Sequence, residues 1–409
     1  MSIAARVRTV EPASAAERLR LAFFRAFFPL LLLGVAVSEW AVVAWVLPQV
    51  GIAVPAAAHV GGPAALWLLN RTLVLRRRAA QGAAATLLRG YVAIAFTCIF
   101  CGVFLALAGG AHLAARVGLA SLGVTPAGGA WVGLVDAGLG AIAALFAFGY
   151  TAGRRALAVT QRTVAVRGLL PAFEGFRIVH LSDLHIGAHL GLDELAAHVE
   201  RVNALEPDLV CITGDLVDRA ETCARAFPVL AGLRARHGVL ATLGNHDVAA
   251  GADAVTAALR AHTPFTMLRD AQAEVRVGDA VLPVLGVDDR VRDWARGVPE
   301  HPALPRLVRA VPPGTPFIVL SHRPDCFPQA AALGAALVLS GHTHGGQLGL
   351  PLLRRGRMRN LAEFITAFDR GVYRDGDATL IVSCGLGFTG QPIRLFTPRE
   401  IGCLELRAA

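Results

Sequence analysis

Five short polar segments, each directly following a run of β-type apolar residues, constrain this chain more than any other feature. The runs and the residues that follow them are 176–181 with Asp183 and His185, 209–213 with Asp215, 239–243 with Asn245, 317–320 with His322, and 337–340 with His342 and His344. A strand that ends in a polar loop delivers its first loop residues to the carboxyl edge of a sheet, where α/β proteins build their sites. Helical patterns at 192–205 and 220–236 separate some of the strands, so the sequence predicts an α/β fold.

The side chains at these strand ends are of the types that bind divalent metal ions. Carboxylate, amide and imidazole ligands suit Mn²⁺, Fe or Zn²⁺ better than Ca²⁺, which prefers a shell made of oxygen atoms. Cysteine is absent from the set, so a structural zinc site is not indicated. Two ions held here would clamp a phosphoryl group and generate a hydroxide between them. Asp215 is the candidate bridging carboxylate because it lies between the other segments in chain order.

The order of these motifs resembles that of the calcineurin-like metallophosphoesterase superfamily. The motifs are Asp183-x-His185, Gly214-Asp215-x-x-Asp218, Gly244-Asn245-His246-Asp247, His322 and Gly341-His342-x-His344. The resemblance covers roughly residues 172 to 409 and is strongest to membrane-attached bacterial members, which continue with Gly345-Gly346-Gln347 and carry a motif like Gly371-Val372-Tyr373. It implies a four-layer αββα sandwich, in which two β-sheets pack face to face with helices outside.

The resemblance also implies a role for each residue of the site. The first of two metal ions would be held by Asp183, His185, Asp215 and His344, and the second by Asp215, Asn245, His322 and His342. His246 would be the catalytic general acid, which protonates the leaving oxygen after attack by a metal-bridging hydroxide, and Asp218 would orient it. A carboxylate on one imidazole nitrogen fixes the tautomer and favours the protonated ring, which agrees with that pairing. Arg219 is a weaker candidate for phosphate binding because relatives with this arginine continue with glycine, whereas this chain has Ala220.

The N-terminal part of the chain has the composition of a membrane region. The whole sequence is 55% hydrophobic, which is high for a soluble enzyme, and the excess lies before residue 153. Four stretches approach the ~20 apolar residues that a spanning helix needs, at about 26–47, 53–74, 91–111 and 131–152. The predicted order is therefore a basic segment at 1–25, an all-α region of four transmembrane helices at 26–152, a linker at 153–171 and the phosphoesterase domain at 172–409.

The distribution of arginine predicts the orientation in the membrane. Residues 1–170 hold 15 arginines against 4 acidic residues, whereas residues 171–409 are nearly neutral with 24 arginines and 26 acidic residues. The arginines cluster before the first span, between the second and third, and after the fourth. The positive-inside rule then places both termini and the catalytic domain in the cytoplasm, at the inner membrane. Because the catalytic domain is not basic, a nucleic-acid partner is not expected.

Three functional interpretations remain open on sequence alone. The first is a membrane-anchored phosphoesterase that cleaves a phosphodiester, pyrophosphate or phosphomonoester of a lipid-linked substrate, with Mn²⁺ preferred over Fe or Zn²⁺. The apolar run 348–353 and the arginines that follow it suit a lipid surface, although a solvated loop is an equal alternative. The second has a passive anchor and soluble substrates. The third is a membrane sensor or transport protein with a non-catalytic domain, against which the intact His246 and Asp218 argue.

Overall fold

The computed structural model describes residues 15–76, 82–121, 128–187, 189–290, 298–354, 357–364 and 366–409, in two compact units, residues 1–147 and 148–409. The first unit is built from four helices, α1 (Ala15–Gln49), α2 (Ala58–Arg76), α3 (Gly82–Ala120) and α4 (Gly128–Phe148). The predicted basic segment 1–25 lies partly outside the described residues, and its remainder, from Ala15 onward, is the beginning of α1. The all-α character predicted for this region is confirmed.

Three of these helices, not four, have the length and apolarity needed to cross a bilayer. The candidate spans are Phe28–Gln49, Gly82–Leu119 and Gly129–Gly153. The prediction of a fourth span at 53–74 is corrected, because α2, although 19 residues long, is not apolar enough and includes Gly61, Gly62, Pro63, Asn70 and Arg71. Glycine and proline weaken a helix, and the amide and guanidinium lower the hydropathy of the segment.

The second unit contains two six-stranded sheets. The first sheet has the order β1-β14-β2-β3-β4-β5 and consists of β1 (Leu157–Val166), β2 (Arg177–Leu181), β3 (Leu209–Thr213), β4 (Val239–Thr242), β5 (Thr266–Met267) and β14 (Arg399–Ala408). Strands β2 to β5 are parallel, whereas β14 pairs antiparallel with β2 and parallel with β1. The connections of the parallel part carry α5 (Leu192–Asn203), α6 (Ala220–Leu230) and α7 (Asn245–His262).

The second sheet has the order β12-β13-β9-β8-β7-β6. Its strands are β6 (Ala271–Val277), β7 (Ala280–Val287), β8 (Ile318–Ser321), β9 (Leu337–Ser340), β12 (Gly371–Asp375) and β13 (Ala378–Val382). Two short helices, α8 (Leu304–Val308) and α9 (Phe327–Ala332), belong to this half, and β10 (Gly349–Arg354) pairs with β11 (Arg357–Asn360) as a separate ribbon. All five strands predicted before the polar segments are present as β2, β3, β4, β8 and β9.

Three hydrophobic clusters define the layers of this unit. The central cluster joins residues of both sheets, for example Leu209 of β3 and Leu320 of β8, and so forms the interface between the sheets. A second cluster joins the first sheet to α5, α6 and α7, and a third joins the second sheet to α8 and α9. The order helix, sheet, sheet, helix confirms the αββα sandwich implied by the resemblance.

The structure differs from the expected linker at 153–171. Residues 157–166 of that segment form β1, which pairs over its whole length with β14, from Leu157 opposite Arg399 to Val166 opposite Ala408. Val164 and Val166 point into the core between the sheets, whereas alternate residues are exposed. An edge strand that buries only one face leaves a short alternating pattern, which is easily mistaken for a connecting segment.

Candidate metal centre

The predicted site residues meet at one edge of the sandwich because parallel strands of both sheets end there. Asp183 follows β2, Asp215 follows β3, Asn245 follows β4, and the first sheet thereby supplies three segments. His322 directly follows β8, and His342 follows β9, in the second sheet. Main-chain hydrogen bonds tie neighbouring loops together, for example from the N–H of Asp183 to the oxygen of Gly214 at 3.0 Å. The site is therefore built on the ends of rigid strands and spans both sheets.

Five of the predicted ligands share a left-handed backbone conformation. Their φ angles are 51° for Asp183, 45° for His185, 53° for Asp215, 70° for His342 and 51° for His344. This region of φ/ψ space is uncommon for residues with a side chain, and such a residue costs about 1–3 kcal/mol unless its surroundings stabilise it. Backbone strain is thus concentrated at five of the seven predicted ligand positions.

Glycines in the motifs allow these loops to approach each other closely. A Cβ atom on Gly244 would lie 2.1 Å from Oδ1 of Asp215, and one on Gly341 would lie 2.2 Å from Oδ2 of Asp183. Both distances are far shorter than any non-bonded contact, so a larger residue would displace the carboxylates. The two glycines are therefore required by the position of the carboxylates as well as by the turns.

The first group of candidate ligands is Asp183, His185 and His344, all of which are buried and offer one ligand atom each within 4.8 Å of the others. Nε2 of His344 lies 3.3 Å from Oδ1 of Asp183 and 3.1 Å from Nε2 of His185. Burial lowers the pKa of His344, so its ring is neutral, the form of imidazole that binds metals. A carboxylate and two imidazoles converging in a buried site fit a divalent cation.

The second group is Asp183, Asp215 and His322, which also lie within 4.8 Å of one another. Nε2 of His322 is 3.2 Å from Oδ2 of Asp215 and 3.1 Å from Oδ1 of Asn245. Nδ1 of His322 is 2.8 Å from the carbonyl oxygen of Thr213, and because a carbonyl only accepts, this nitrogen carries the hydrogen. That hydrogen bond turns the other ring nitrogen toward the carboxylates, as outer hydrogen bonds do in metal sites.

Asp215 belongs to the second group and also lies close to His185 of the first. Its Oδ2 atom is 3.2 Å from Nε2 of His322 and 3.5 Å from Nε2 of His185. Its Oδ1 atom accepts a hydrogen bond of 2.8 Å from the main-chain N–H of His246. Burial would raise the pKa of Asp215, but the neighbouring histidines, His322 first, hold it well below the usual range. An ionised carboxylate between two groups of ligands has the position that a bridging ligand needs.

His342 is placed differently from the other predicted ligands. Its main-chain N–H donates to both carboxylate oxygens of Asp183, at 3.1 and 3.0 Å, so its backbone supports the centre. Its ring lies 5.1 Å from that of His322, but Nε2 accepts a hydrogen bond of 2.6 Å from Arg323. The ring is not a member of either group among the described residues. Arg323 is itself held by the buried carboxylate of Asp289 at 2.7 Å.

Asp218 connects a predicted ligand with the predicted general acid. Its Oδ1 atom is 2.8 Å from Nδ1 of His185 and 2.8 Å from Nδ1 of His246. A carboxylate oxygen only accepts, so both Nδ1 atoms carry hydrogen and the Nε2 atoms face away from Asp218. The hydrogen bond to Asp218 raises the pKa of His246, which is about one-third exposed with a side-chain accessibility of 36%. The two histidine hydrogen bonds lower the pKa of Asp218 although burial opposes them.

Arg219, the weaker candidate for phosphate binding, is exposed immediately before α6. Asp247 belongs to the quoted motif but had no predicted role. Its carboxylate accepts the N–H groups of Gly244 at 2.9 Å, Leu216 at 3.2 Å and Val217 at 3.1 Å. It thereby fixes the loop of Asp215 to the beginning of α7. An acidic residue three positions after a helix N-cap is a capping signal, so the sequence did contain a clue to this role.

Arg394 had no signal in the sequence. Its guanidinium is almost completely buried, with 1% exposure, and it donates to main-chain oxygens of His344 at 2.9 Å, Cys384 at 2.8 Å, Gly385 at 3.3 Å and Gly387 at 2.7 Å. The main-chain N–H of Gly387 in turn donates to the main-chain oxygen of Asp183 at 2.7 Å. A buried arginine therefore holds together two loops that support the first group of ligands.

The comparisons with known proteins agree with this geometry. A family profile for calcineurin-like phosphoesterases matches residues 176–346. A protein of Bacillus subtilis named "uncharacterized metallophosphoesterase YkuE" is 30% identical over 260 residues, which cover 61% of this chain and 85% of that protein. The chain belongs to the metallophosphoesterase family. It is accordingly a metal-dependent phosphoester hydrolase, and calcineurin-like phosphoesterases bind two divalent metal ions, for which the two groups described above are the candidate sites.

Two further metallophosphoesterase relatives match this chain over a little more than half of their own length. A bovine protein named "transmembrane protein with metallophosphoesterase domain" is 32% identical over 263 residues, which cover 62% of this chain and 57% of that protein. A Campylobacter jejuni protein named "uncharacterized metallophosphoesterase Cj0846" is 32% identical over 233 residues, with coverage of 56% and 59%. The three apolar helices and the name of the bovine relative both indicate membrane insertion of this metallophosphoesterase.

Proposed function

We propose that this metallophosphoesterase hydrolyses a lipid-linked phosphodiester, pyrophosphate or phosphomonoester at the cytoplasmic face of the inner membrane, with His246 as general acid. The observation that carries the proposal is the pair formed by His246 and Asp218 beside the two ligand groups. A domain that only bound a ligand would not need an imidazole oriented by a carboxylate at this position. The pair therefore favours turnover over the alternative of a non-catalytic sensor or transport protein.

The residues around the centre would divide the chemistry as follows. Asp183, His185, Asp215 and His344 would hold one ion, and Asp215, Asn245, His322 and His342 the other, with Mn²⁺ as the preferred metal. When bound, two such ions supply charge stabilisation for a phosphoryl group and activation of water. Asp218 keeps the hydrogen of His246 on Nδ1, so that Nε2 can deliver a proton to the leaving oxygen. Arg219, exposed nearby in the chain, would contact the phosphate.

The cytoplasmic orientation and the lipid substrate rest on the sequence. Arginine clusters flank the helices on one predicted side, and the apolar run 348–353 lies in the β10–β11 ribbon shortly after His344. Side chains 351–357 and the turn residues 355 and 356 lie outside those that the structure describes. The ribbon follows the centre so closely in the chain that it would meet a lipid headgroup bound there.

The decisive experiment is hydrolysis of bis-p-nitrophenyl phosphate by the full-length protein after metal removal and addition of Mn²⁺. Wild type should need the metal, and both Asp215→Ala and His246→Ala should lose activity. His246→Ala should fall by about 10²–10⁴-fold, the usual effect of losing a general acid. An inactive wild type that still binds Mn²⁺ would instead favour the sensor interpretation or a narrow substrate.

A second comparison separates lipid from soluble substrates. Full-length protein in lipid vesicles should cleave a phosphatidyl ester with higher kcat/KM than a soluble diester of the same leaving group. Equal values for both substrates, in vesicles and in detergent, would favour the passive anchor. A domain beginning at residue 172 is unsuitable for this test, because it lacks β1 and leaves β14 without its parallel neighbour.

A further inference from the structure

Three polar side chains form a closed ring inside the helical unit, away from the metal centre. Glu39 of α1 and Asn70 of α2 are buried, with 6% and 5% exposure, and Tyr91 of α3 is half-buried. Nδ2 of Asn70 lies 2.7 Å from Oε2 of Glu39, the hydroxyl of Tyr91 lies 2.9 Å from Oε1 of Glu39, and the same hydroxyl lies 2.8 Å from Oδ1 of Asn70. Each residue of the ring thus contacts both others at hydrogen-bond distance.

The helices are packed closely on either side of Glu39. A Cβ atom on Gly102 of α3 would lie 2.6 Å from the Cβ of Ser38, and one on Gly62 of α2 would lie 2.2 Å from the ring of Trp40. Small residues at helix contacts let the backbones approach each other in membrane bundles. The residues before and after Glu39 therefore pack α1 closely against both helices that supply its partners.

With an ionised Glu39, the ring has one hydrogen too few for its three contacts. Three two-centre hydrogen bonds need three hydrogens, but Tyr91 has one hydroxyl hydrogen and the amide of Asn70 can direct only one N–H into the ring while its oxygen takes the other contact. An ionised Glu39 would supply none, and two oxygen acceptors would then face each other at 2.8 Å between Tyr91 and Asn70. If the Asn70 amide is flipped, its oxygen faces a carboxylate oxygen of Glu39 instead, so a contact between two acceptors remains.

We propose that Glu39, Asn70 and Tyr91 form a proton-binding site in the helical unit, with the bound proton carried by the Glu39 carboxyl. Glu39 then donates to the Tyr91 oxygen, Tyr91 donates to Asn70, and Asn70 donates back to Glu39. Every contact has one donor and one acceptor, which is the condition for polar groups shielded from water. The site is independent of the phosphoesterase activity proposed above.

Without this proton, the negative charge of Glu39 would have no cationic partner among the described residues of the helical unit. Among the described residues of 1–147, no basic side chain forms an ion pair with Glu39. The arginine nearest to the ring in the chain, Arg71, holds its guanidinium over the ring of Trp67 at 5.6 Å. Cys98 of α3 is the other titratable side chain near Glu39. An acid shielded from water and without a cationic partner is better accommodated as the neutral species.

Asp136 of α4 provides a contrast within the same unit. Its Oδ1 atom accepts hydrogen bonds from Nε1 of Trp45 at 2.8 Å and from Nε2 of Gln49 at 3.1 Å. Both partners are donors, so this carboxylate needs no proton of its own, and Asp136 is exposed. Glu39 and Asp136 should therefore differ in chemistry, and each serves as a control for the other.

Infrared difference spectra of the full-length protein in lipid vesicles at neutral pH would test the proposal. Subtracting the spectrum of Glu39→Gln from that of wild type should leave a carbonyl band of a protonated carboxyl. In Tyr91→Phe this band should move to higher frequency, because the Glu39 hydroxyl loses its acceptor, whereas Asp136→Asn should leave it unchanged. Loss of carboxylate bands in Glu39→Gln, without a carbonyl band, would show an ionised Glu39 and overturn the proposal.

Chemical labelling provides a test that needs no variant. Dicyclohexylcarbodiimide adds a protonated carboxyl across one of its C=N bonds, and the product rearranges to a stable N-acylurea that peptide mass spectrometry can locate. The reagent should modify Glu39 and spare Asp136, and modification of Asp136 but not Glu39 would contradict the assignment. Thermal unfolding adds a structural control, since the amide in Glu39→Gln supplies the third hydrogen and should keep the melting temperature, whereas Glu39→Leu should lower it.

Discussion

The buried guanidinium of Arg394 donates a hydrogen bond of 2.9 Å to the main-chain oxygen of His344, a candidate metal ligand. The backbone of the same residue contacts residues 149 and 153, at the beginning of the second unit. Its N–H donates to the oxygen of Gly149 at 3.2 Å, and a Cβ atom on Gly153 would lie 2.1 Å from its oxygen. The first residues of the second unit are thus packed against the residue that supports the centre.

This arrangement predicts that Arg394 acts on metal binding as a positioning residue. Arg394→Lys keeps the positive charge but cannot reach all four carbonyl oxygens, so the loops of His344 and Asp183 should lose their fixed spacing. We expect metal affinity to fall by about 10–100-fold, as when partners behind metal ligands are changed. Mn²⁺ titration of the metal-free protein measures this directly, with Arg167→Lys at the exposed Arg167–Asp377 pair as the matched control. Equal affinities in the two variants would refute the role.

A second prediction concerns the carboxylate shared by His185 and His246. Asp218→Asn removes the charge that both Nδ1–H groups donate to, so kcat should fall by about 10²–10⁴-fold, the range for a general acid. The double variant Asp218→Asn/His246→Gln should be scarcely worse than either single variant, because residues that act as a unit are not additive. Strictly multiplicative losses in kcat would mean that Asp218 and His246 act independently.

Glu400 allows a prediction about acid stability. Burial raises the pKa of Glu400, but hydrogen bonds from Thr160, at 2.7 Å, and the N–H of Cys384, at 2.9 Å, and pairing with Arg162 outweigh it, so the net pKa is lowered. A lowered folded-state pKa stabilises the protein above the ordinary glutamate value of about 4.3, and this contribution is lost as pH falls through the folded-state pKa.

Glu400→Gln should therefore melt at a lower temperature than wild type at neutral pH, and the difference should narrow below about pH 4.3. Differential scanning calorimetry across that range provides the measurement. Glu200→Gln, at an exposed glutamate of α5, is the control for general acid effects. A melting difference for Glu400→Gln that stays constant down to low pH would contradict the assigned stabilisation.

The left-handed conformation of Asp215 predicts a measurable release of strain. In the metal-free protein, Asp215→Gly should be more stable than Asp215→Ala by about 1 kcal/mol, because glycine adopts a positive φ without steric cost and alanine does not. Urea unfolding of both variants compares them directly, and both should be inactive. If Asp215→Ala proves the more stable of the two, the φ of 53° stores no strain.

The sequence was informative where a residue's role depends on its own strand. The polar segments after β2, β3, β4, β8 and β9 could be predicted because each follows a recognisable apolar run, and the Asp218–His246 pairing was implied by the family resemblance. Arg394 and Arg323 could not be predicted, since their partners come from distant loops. β1 could not be predicted either, because it buries one face only. Asn70 lowers the hydropathy of α2, and its contact with Glu39 explains why a polar residue lies at this position.

The order of the first sheet has a consequence for biosynthesis. β14 lies between β1 and β2, although it follows every other strand of the sheet in the chain. Translation therefore produces β1, which follows the membrane region in the chain, long before its partner β14 exists. The edge of β2 that pairs with β14 also stays unpaired until then. Domains generally fold as units as they emerge from the ribosome, and unpaired strand edges invite wrong pairing. Closure of this sheet must wait until residue 408 has emerged, so membrane insertion of the preceding helices can be completed before the catalytic unit acquires its final form.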